Sequence, residues 1–540
     1  MTAPATVSLS RTATGSEVPS AQERAKPRWR TEDPLIGWVS ALAITGLAFF
    51  MRWWKLGTPH QFSFDETYYA KDAWSMLGNG YVREYVEGAD KTILNGSTVD
   101  LWKETPSMVV HPEVGKWIIA LGEKAFGMDP FGWRIAAAVI GSLMVLLMCR
   151  FVRRVTGSTA LGLLGGLLLA MDGLQLVLSR LALLDIFLAF FILLGVHCVV
   201  ADRQWFRERL AKGRTRVLFR PWLLAAGVAF GLAVGTKWTA MFPLAAFGIL
   251  LTAWNYGARR SFRLRLPLVK ALFVDGPVAF ASLVLVALVV YVTSWTGWLI
   301  HASEYEQSTL SNSQYVTYDG GKAWETASEP DADGLGEVTQ SLHSLWDYHR
   351  AVYNFHAHFL NDATHVYASK PAGWLLMARP VGVDVQLDIQ PKTQGCDAPT
   401  GSTCLRQILL LGNPLIWWAG TLALGFAVIR WLGGRDWRFG VAVVGVGSTW
   451  LPWMLYDDRP IFLFYAIASL PFLVLGLTLA LASIVGSSNV PTPRRTAGVV
   501  IAGSYVVLAV IAFAWFWPVW TDQLLTHDEW LRRIWFTKWI

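Results

Sequence analysis

Phe64-Asp65-Glu66-Thr67-Tyr68-Tyr69-Ala70-Lys71-Asp72-Ala73-Trp74 follows the first long apolar run and sets two adjacent carboxylates among aromatic rings. A second polar knot, His111-Pro112-Glu113-Val114-Gly115-Lys116-Trp117, closes the same loop before the next apolar run. Carboxylates held at the mouth of a hydrophobic span suit proton abstraction from an acceptor, provided the bilayer delivers an activated donor. Asp65 is then a base. A plainer reading stands beside it: acidic residues favour helix N-termini, so the pair would merely cap a juxtamembrane helix. The rest of the chain has to decide.

Composition settles the solvent. The 540 residues are 54% hydrophobic and only 16% charged, with mean hydropathy +0.38. Soluble chains carry roughly a quarter charged residues. This is a polytopic membrane protein, and its 29 Trp residues fit the indole-rich interfaces of one. The net charge of +7 does not point to nucleic acid, because the basic residues fall in short loops between apolar runs and report topology.

Eleven apolar runs are expected as spans, at about 34–54, 130–150, 158–178, 182–200, 221–236, 240–256, 271–296, 410–430, 438–455, 460–484 and 498–518. Residues 1–33, rich in Ser, Thr, Ala and Pro, read as a disordered tail. Residues 55–125 form a first large loop, too apolar to float free and so expected to hold interfacial helices. Residues 297–408 form a second. There Leu345, Tyr348, Val352, Phe355 and Phe359 share one helical face, as in an amphipathic helix lying on the membrane or over the first loop. Residues 521–540 read as a C-terminal tail.

Orientation follows from arginine. With the N-terminus inside, the loops after the second, fourth, sixth, eighth and tenth spans are cytoplasmic. They carry Arg150, Arg153, Arg154, the basic stretch Arg203–Arg216, Arg259, Arg260, Arg430, Arg435, Arg494 and Arg495. Asp65, Glu66, Glu113, the second large loop and the C-terminus then face outward. Cys396 and Cys404 share that outer loop without a His between them, so a local disulfide is favoured over a metal site. Cys149 and Cys198 lie in apolar runs as packing residues.

Single charges gather on the outer face: Arg134, Arg180, Asp185, Lys237 and Arg459. Any one of them could be explained by snorkelling or helix-end pairing. Their convergence on the face of Asp65 suggests a phosphate held beside an apolar wall, as a lipid carrier requires. His349, His356, His358 and His365 cluster in the second loop without a metal-binding spacing, so a structural or substrate-contact role is expected.

Taken together, these residues resemble the protein O-mannosyltransferases, in particular their actinobacterial branch. The resemblance rests on Asp65-Glu66, His-Pro-x-x-Gly-Lys at 111–116, Arg134, Ser179-Arg-Leu-Ala-Leu-Leu-Asp185 and Gly235-Thr-Lys-Trp238. It continues through Ser369-Lys-Pro-Ala-Gly-Trp-Leu-Leu-Met-Ala-Arg-Pro380, Gly412-Asn-Pro-Leu-Ile-Trp-Trp418 and Arg459-Pro-Ile-Phe-Leu-Phe-Tyr465. It covers about residues 34–520. Eukaryotic members insert a β-trefoil into the second loop, for which residues 297–408 leave little room.

The resemblance implies an all-α polytopic GT-C glycosyltransferase with about eleven transmembrane helices and extracytoplasmic loops bearing interfacial helices, in the cell membrane. It implies transfer of mannose from polyprenyl-phosphate mannose to Ser/Thr hydroxyls of unfolded or translocating exported proteins, with inversion. The secretion translocon and membrane lipid are candidate neighbours. Carried over, Asp65 is the base and Glu66 orients the acceptor or tunes Asp65. Arg134 contacts the catalytic loop or phosphate; Arg180, Lys237 and Arg459 are further phosphate candidates. His111, Lys116, Asp185 and Tyr465 sit in the matching motifs as substrate-side residues. No cofactor is identified, and a divalent cation stays open. Two rivals remain: a sister GT-C transferase using another polyprenyl-phospho sugar or a lipid acceptor, and a lipid-carrier flippase. A transporter would place charges near the midplane in repeated halves, and neither is visible.

Overall fold

The computed structural model describes residues 34–486 and 492–540, so the expected tail at 1–33 lies outside the described residues. Helices begin where proline follows a capping side chain. Asp129 accepts from Gly132 N at 2.7 Å ahead of Pro130, and Asn413 accepts from Leu415 N at 3.2 Å ahead of Pro414. Proline costs nothing there, because its missing N–H would have had no partner in the first turn.

Fourteen helices carry the description: α1 (Pro34–Trp53), α2 (Glu66–Asn79), α3 (Val114–Phe126), α4 (Pro130–Thr156), α5 (Thr159–Ala170), α6 (Leu184–Ala211), α7 (Pro221–Val234), α8 (Trp238–Ser261), α9 (Pro267–Ser294), α10 (Leu335–Ala357), α11 (Pro414–Leu432), α12 (Trp437–Trp450), α13 (Leu463–Val485) and α14 (Pro493–Trp520). Among the described residues eight are long and apolar enough to cross a bilayer: α1, α4, α6, α8, α9, α11, α13 and α14. α6 is the axis, with 89% of its apolar window buried, whereas α1 and α14 lie at the rim at 22%. Gly166 lets α5 press on α4, since a Cβ there would sit 2.0 Å from Cys149 Sγ.

Every expected span is helical, but three are short. α5, α7 and α12 have 12, 14 and 14 residues. At 1.5 Å per residue they reach roughly 18–21 Å, against a hydrocarbon core of about 30 Å. A count of eleven crossings is therefore not fixed by helix length. The early stops have local causes. α7 yields to Gly235-Thr236-Lys237, where Lys237 is extended (φ −151°, ψ 139°). Such backbone is tolerated at depth only when buried in protein, and Thr236 and Lys237 are buried.

The two large loops are folded. In the first, α2 and α3 are tied by a Lys116–Asp72 ion pair of 3.0 Å, and β1 (Arg83–Tyr85) pairs with β2 (Trp102–Pro106). In the second, α10 buries Leu345, Tyr348 and Val352. Tyr348 Oη accepts from Val109 N (2.7 Å) and donates to Val109 O (2.9 Å), so α10 lies over the first loop.

A three-stranded antiparallel sheet also forms here, which the all-α expectation did not include. β3 (Val381–Ile389) pairs with β4 (Cys404–Leu410), and β4 with β5 (Leu525–Thr526). Cys396 and Cys404 are disulfide-bonded at the start of β4, the central strand. Residues 521–540 are thus built into the fold rather than trailing from it. Trp530 Nε1 donates to Gln407 Oε1 (2.7 Å) and Trp539 Nε1 to Met377 O (2.8 Å).

Candidate active site

Asp65 occupies the N-cap position of α2, yet its side chain makes no capping hydrogen bond. The capping explanation fails for this residue. Phe64 before it holds φ +54°, an uncommon conformation for a bulky side chain and a form of strain found at functional sites. Burial pushes the Asp65 carboxyl up to about 6; Lys237 opposes this, Asp185 adds to it, and Tyr69 opposes it by hydrogen bonding. A carboxylate titrating there is a usable proton acceptor at neutral pH.

Glu66 does different work. Its Oε1 accepts from Arg134 Nε (2.8 Å) and Ala182 N (2.9 Å), and its Oε2 from Arg134 Nη2 (2.7 Å) and Ser63 N (2.9 Å). Both side chains of the pair are fully buried. Arg134 also donates to the carbonyls of Leu56, Pro59 and Gln61. The pair clamps the segment from α1 to Asp65 onto α4. Glu66 is therefore not free to orient an acceptor, and Arg134 takes the loop-binding half of its expected role with its donors occupied by protein.

Two more expected substrate residues are absorbed the same way. Arg180 donates to the carbonyls of Arg52 (3.0 Å), Trp54 (2.6 Å) and Lys55 (3.3 Å), closing the C-terminus of α1. Lys116 is buried on Asp72. Arg180 is held by the helix end and Lys116 by the α2–α3 contact.

The remaining candidates converge. Lys237 Nζ pairs with Asp185 at 2.8 Å and stands 5.0 Å from the Tyr465 ring centre. Asp185, Lys237 and Tyr465 line a cavity of about 10 Å³, room for one water. Arg459 donates from Nη1 to His356 Nδ1 (2.7 Å), and His356 Nε2 donates to Val110 O (3.0 Å). His111 stacks on His356 at 5.4 Å. Burial, then Lys237 and His356, hold His111 well below the usual imidazole range. His356 is lowered to about 4 by burial and Arg459. Both rings are neutral at pH 7, leaving Lys237 and Arg459 as the cations of the cluster. Burial lowers Arg459 as well, but a guanidinium stays charged. Beyond His356, the N–H groups of Arg459 meet no protein acceptor among the described residues.

His356 is the site residue that sequence spacing left unassigned. The other clustered histidines disperse. His349 stacks on Trp238 (5.5 Å), His358 on Tyr318 (4.5 Å), and His365 meets Phe462 edge-on (4.9 Å). Among the described residues no group of three His, Cys, Asp or Glu is placed to hold a metal ion.

The motifs at 369–380 and 412–418 make joints between helices. Asp172 Oδ2 accepts from Asn413 N and Trp417 Nε1, both at 2.9 Å. Trp450 Nε1 donates to Pro371 O at 2.8 Å.

Comparison with known proteins agrees with this architecture. Residues 42–296 match the family described as dolichyl-phosphate-mannose-protein mannosyltransferase. Residues 341–539 match the C-terminal four-transmembrane region of protein-O-mannosyltransferase. A Mycobacterium tuberculosis protein named polyprenol-phosphate-mannose–protein mannosyltransferase is 34% identical over 523 residues, covering 94% of this chain and 92% of that protein. A Corynebacterium glutamicum protein of the same name is 30% identical, covering 89% and 88%. The structure of the S. cerevisiae protein O-mannosyltransferase Pmt1-Pmt2 complex bound to the sugar donor superposes with TM-score 0.69. It covers 97% of this chain and 94% of that one at 15% identity, a likeness of fold. The fold is GT-C, the chain is multi-pass, and by sequence it belongs to the dolichyl-phosphate-mannose-protein mannosyltransferase family.

Proposed function

We propose that the chain transfers mannose from polyprenyl-phosphate mannose to Ser/Thr hydroxyls of exported proteins, at the outer face of the cell membrane, with Asp65 as base. As a member of its family it is a glycosyltransferase of the protein-mannosyltransferase class. The observation that carries the mechanism is Asp65 itself: its carboxyl caps no backbone N–H of the helix it precedes, is pushed up to about 6 by burial, and feels the opposing charge of Lys237.

The acceptor oxygen attacks the anomeric carbon as its proton passes to the Asp65 carboxylate. The bond from that carbon to the phosphate oxygen breaks, and its electron pair leaves with polyprenyl phosphate. The leaving group is already a stable anion, so no general acid is needed. Arg459 supplies the free N–H groups for that phosphate, and Lys237 adds positive charge held in place by Asp185. In-line attack inverts the anomeric centre.

Incubation of the purified protein with radiolabelled polyprenyl-phosphate mannose and a Ser/Thr-rich peptide tests this reading. Label is expected on peptide hydroxyls in α-linkage. Label confined to a lipid or glycan acceptor, or transfer only from another sugar donor, would contradict it.

A further inference from the structure

The end of the bundle away from Asp65 holds a second cationic site. Arg134 marks the catalytic end of α4, and Arg150 and Arg154 lie about 24–30 Å further along it at 1.5 Å per residue. There a cavity of about 520 Å³ is lined by Trp38 of α1, Arg150 and Arg154 of α4, Phe190 and His197 of α6, and Trp222 of α7. Leu143, Leu147 and Leu194 supply an apolar wall. No Asp or Glu lines it.

Its cations are fixed in position. The Arg150 guanidinium lies 3.9 Å from the Trp38 ring centre, and that of Arg154 5.1 Å from Trp222. Arg154 Nε donates to His197 Nε2 (3.2 Å) and Nη1 to Gln204 Oε1 (3.2 Å). Because His197 Nε2 accepts, the ring proton sits on Nδ1, and that atom is buried without a partner. Arginines that served only as a topology signal would snorkel into water. These are half-buried on indole faces. Stacked guanidiniums and a leucine wall match a phosphodiester joined to an acyl chain.

We propose that this cavity binds an anionic glycerophospholipid, its phosphate at Arg150 and Arg154 and one acyl chain along Leu143, Leu147 and Leu194. It is separate from the donor-lipid site at the Asp65 end. Anionic lipid is what a leaflet facing the arginine-rich loops supplies. The lipid would bridge Trp38 on the loosely packed α1 to Trp222 on α7.

Native mass spectrometry of the full-length protein, delipidated and then titrated with phosphatidylglycerol, phosphatidylcholine or glycerol phosphate, tests this. Wild type should retain one phosphatidylglycerol in preference to phosphatidylcholine, and glycerol phosphate should not displace it. Arg150→Gln with Arg154→Gln should weaken retention about tenfold or more. Trp38→Leu, on the partly exposed rim, should weaken it without touching a core residue. Arg430→Gln with Arg438→Gln, at a different arginine-lined cavity, should leave it unchanged. Equal retention of phosphatidylcholine would overturn the proposal. Displacement by glycerol phosphate would mean a free-phosphate site. Equal loss in the Arg430/Arg438 variant would mean a diffuse positive field, and either result also refutes it.

Discussion

Glu66 and Arg134 form a two-point ion pair, Nε to Oε1 at 2.8 Å and Nη2 to Oε2 at 2.7 Å, with neither side chain exposed. They are 68 residues apart in sequence. The pair separates the two carboxylates of the motif: Glu66 is taken up by Arg134, and Asp65 is the one proposed as base. Removing one partner strands a buried charge and typically costs about 3–5 kcal/mol. Arg134→Ala should therefore lower Tm sharply and reduce folded yield. Thermal unfolding in detergent checks this; an unchanged Tm with a raised KM for donor would return Arg134 to the phosphate.

Arg459 should behave differently. Losing a charge-assisted phosphate contact costs roughly 1.5–3 kcal/mol. Arg459→Ala should cut turnover about ten- to a hundredfold while Tm holds. His356→Ala should give a smaller loss, because His356 positions Arg459 through the 2.7 Å contact. Wild-type kinetics in Arg459→Ala would leave Lys237 as the phosphate ligand.

Asp65 also sets a pH profile. It must be ionised to accept a proton, so kcat/KM should rise with pH up to about 6 and then level. Stability runs the other way. The unfolded carboxyl titrates near 3.8 and the folded one near 6, so the folded state holds the proton more tightly. Ionisation then costs stability as pH climbs through that window. Asp65→Asn removes the cost, and its Tm at pH 7 should match or exceed wild type. A lower Tm would mean that the Asp65 carboxylate holds the fold together.

Much of this was legible in the sequence, and the gaps have physical causes. Apolar runs parted by arginine marked the helices, and Lys237, Asp185 and Tyr465, read from separate motifs, line one cavity. Arg134 and Arg180 read as candidate phosphate ligands with Lys237 and Arg459, because nothing local says which cations are spent on backbone carbonyls. The sheet was overlooked although Val381, Val383, Val385, Leu387 and Ile389 alternate as a strand should. Its partner β5 lies more than a hundred residues from β4, and no periodicity reports such pairing. His356 showed only its spacing from His349; its contact with Arg459 is tertiary.

Topology can be read directly. Ala327 and Lys212 are both exposed. If the arginine-rich loops face inward, Ala327→Cys should react with an impermeant maleimide on intact cells and Lys212→Cys should not. The reverse pattern would invert the orientation.

The account turns on Asp65. A general base contributes about 10²–10⁴-fold, and Asn keeps the shape while removing the proton acceptor. Mannosyl transfer to a Ser/Thr peptide, measured for Asp65→Asn at saturating donor and pH 7, should fall by that factor with donor binding retained. Turnover equal to wild type would contradict the assignment and remove the catalytic base from this site.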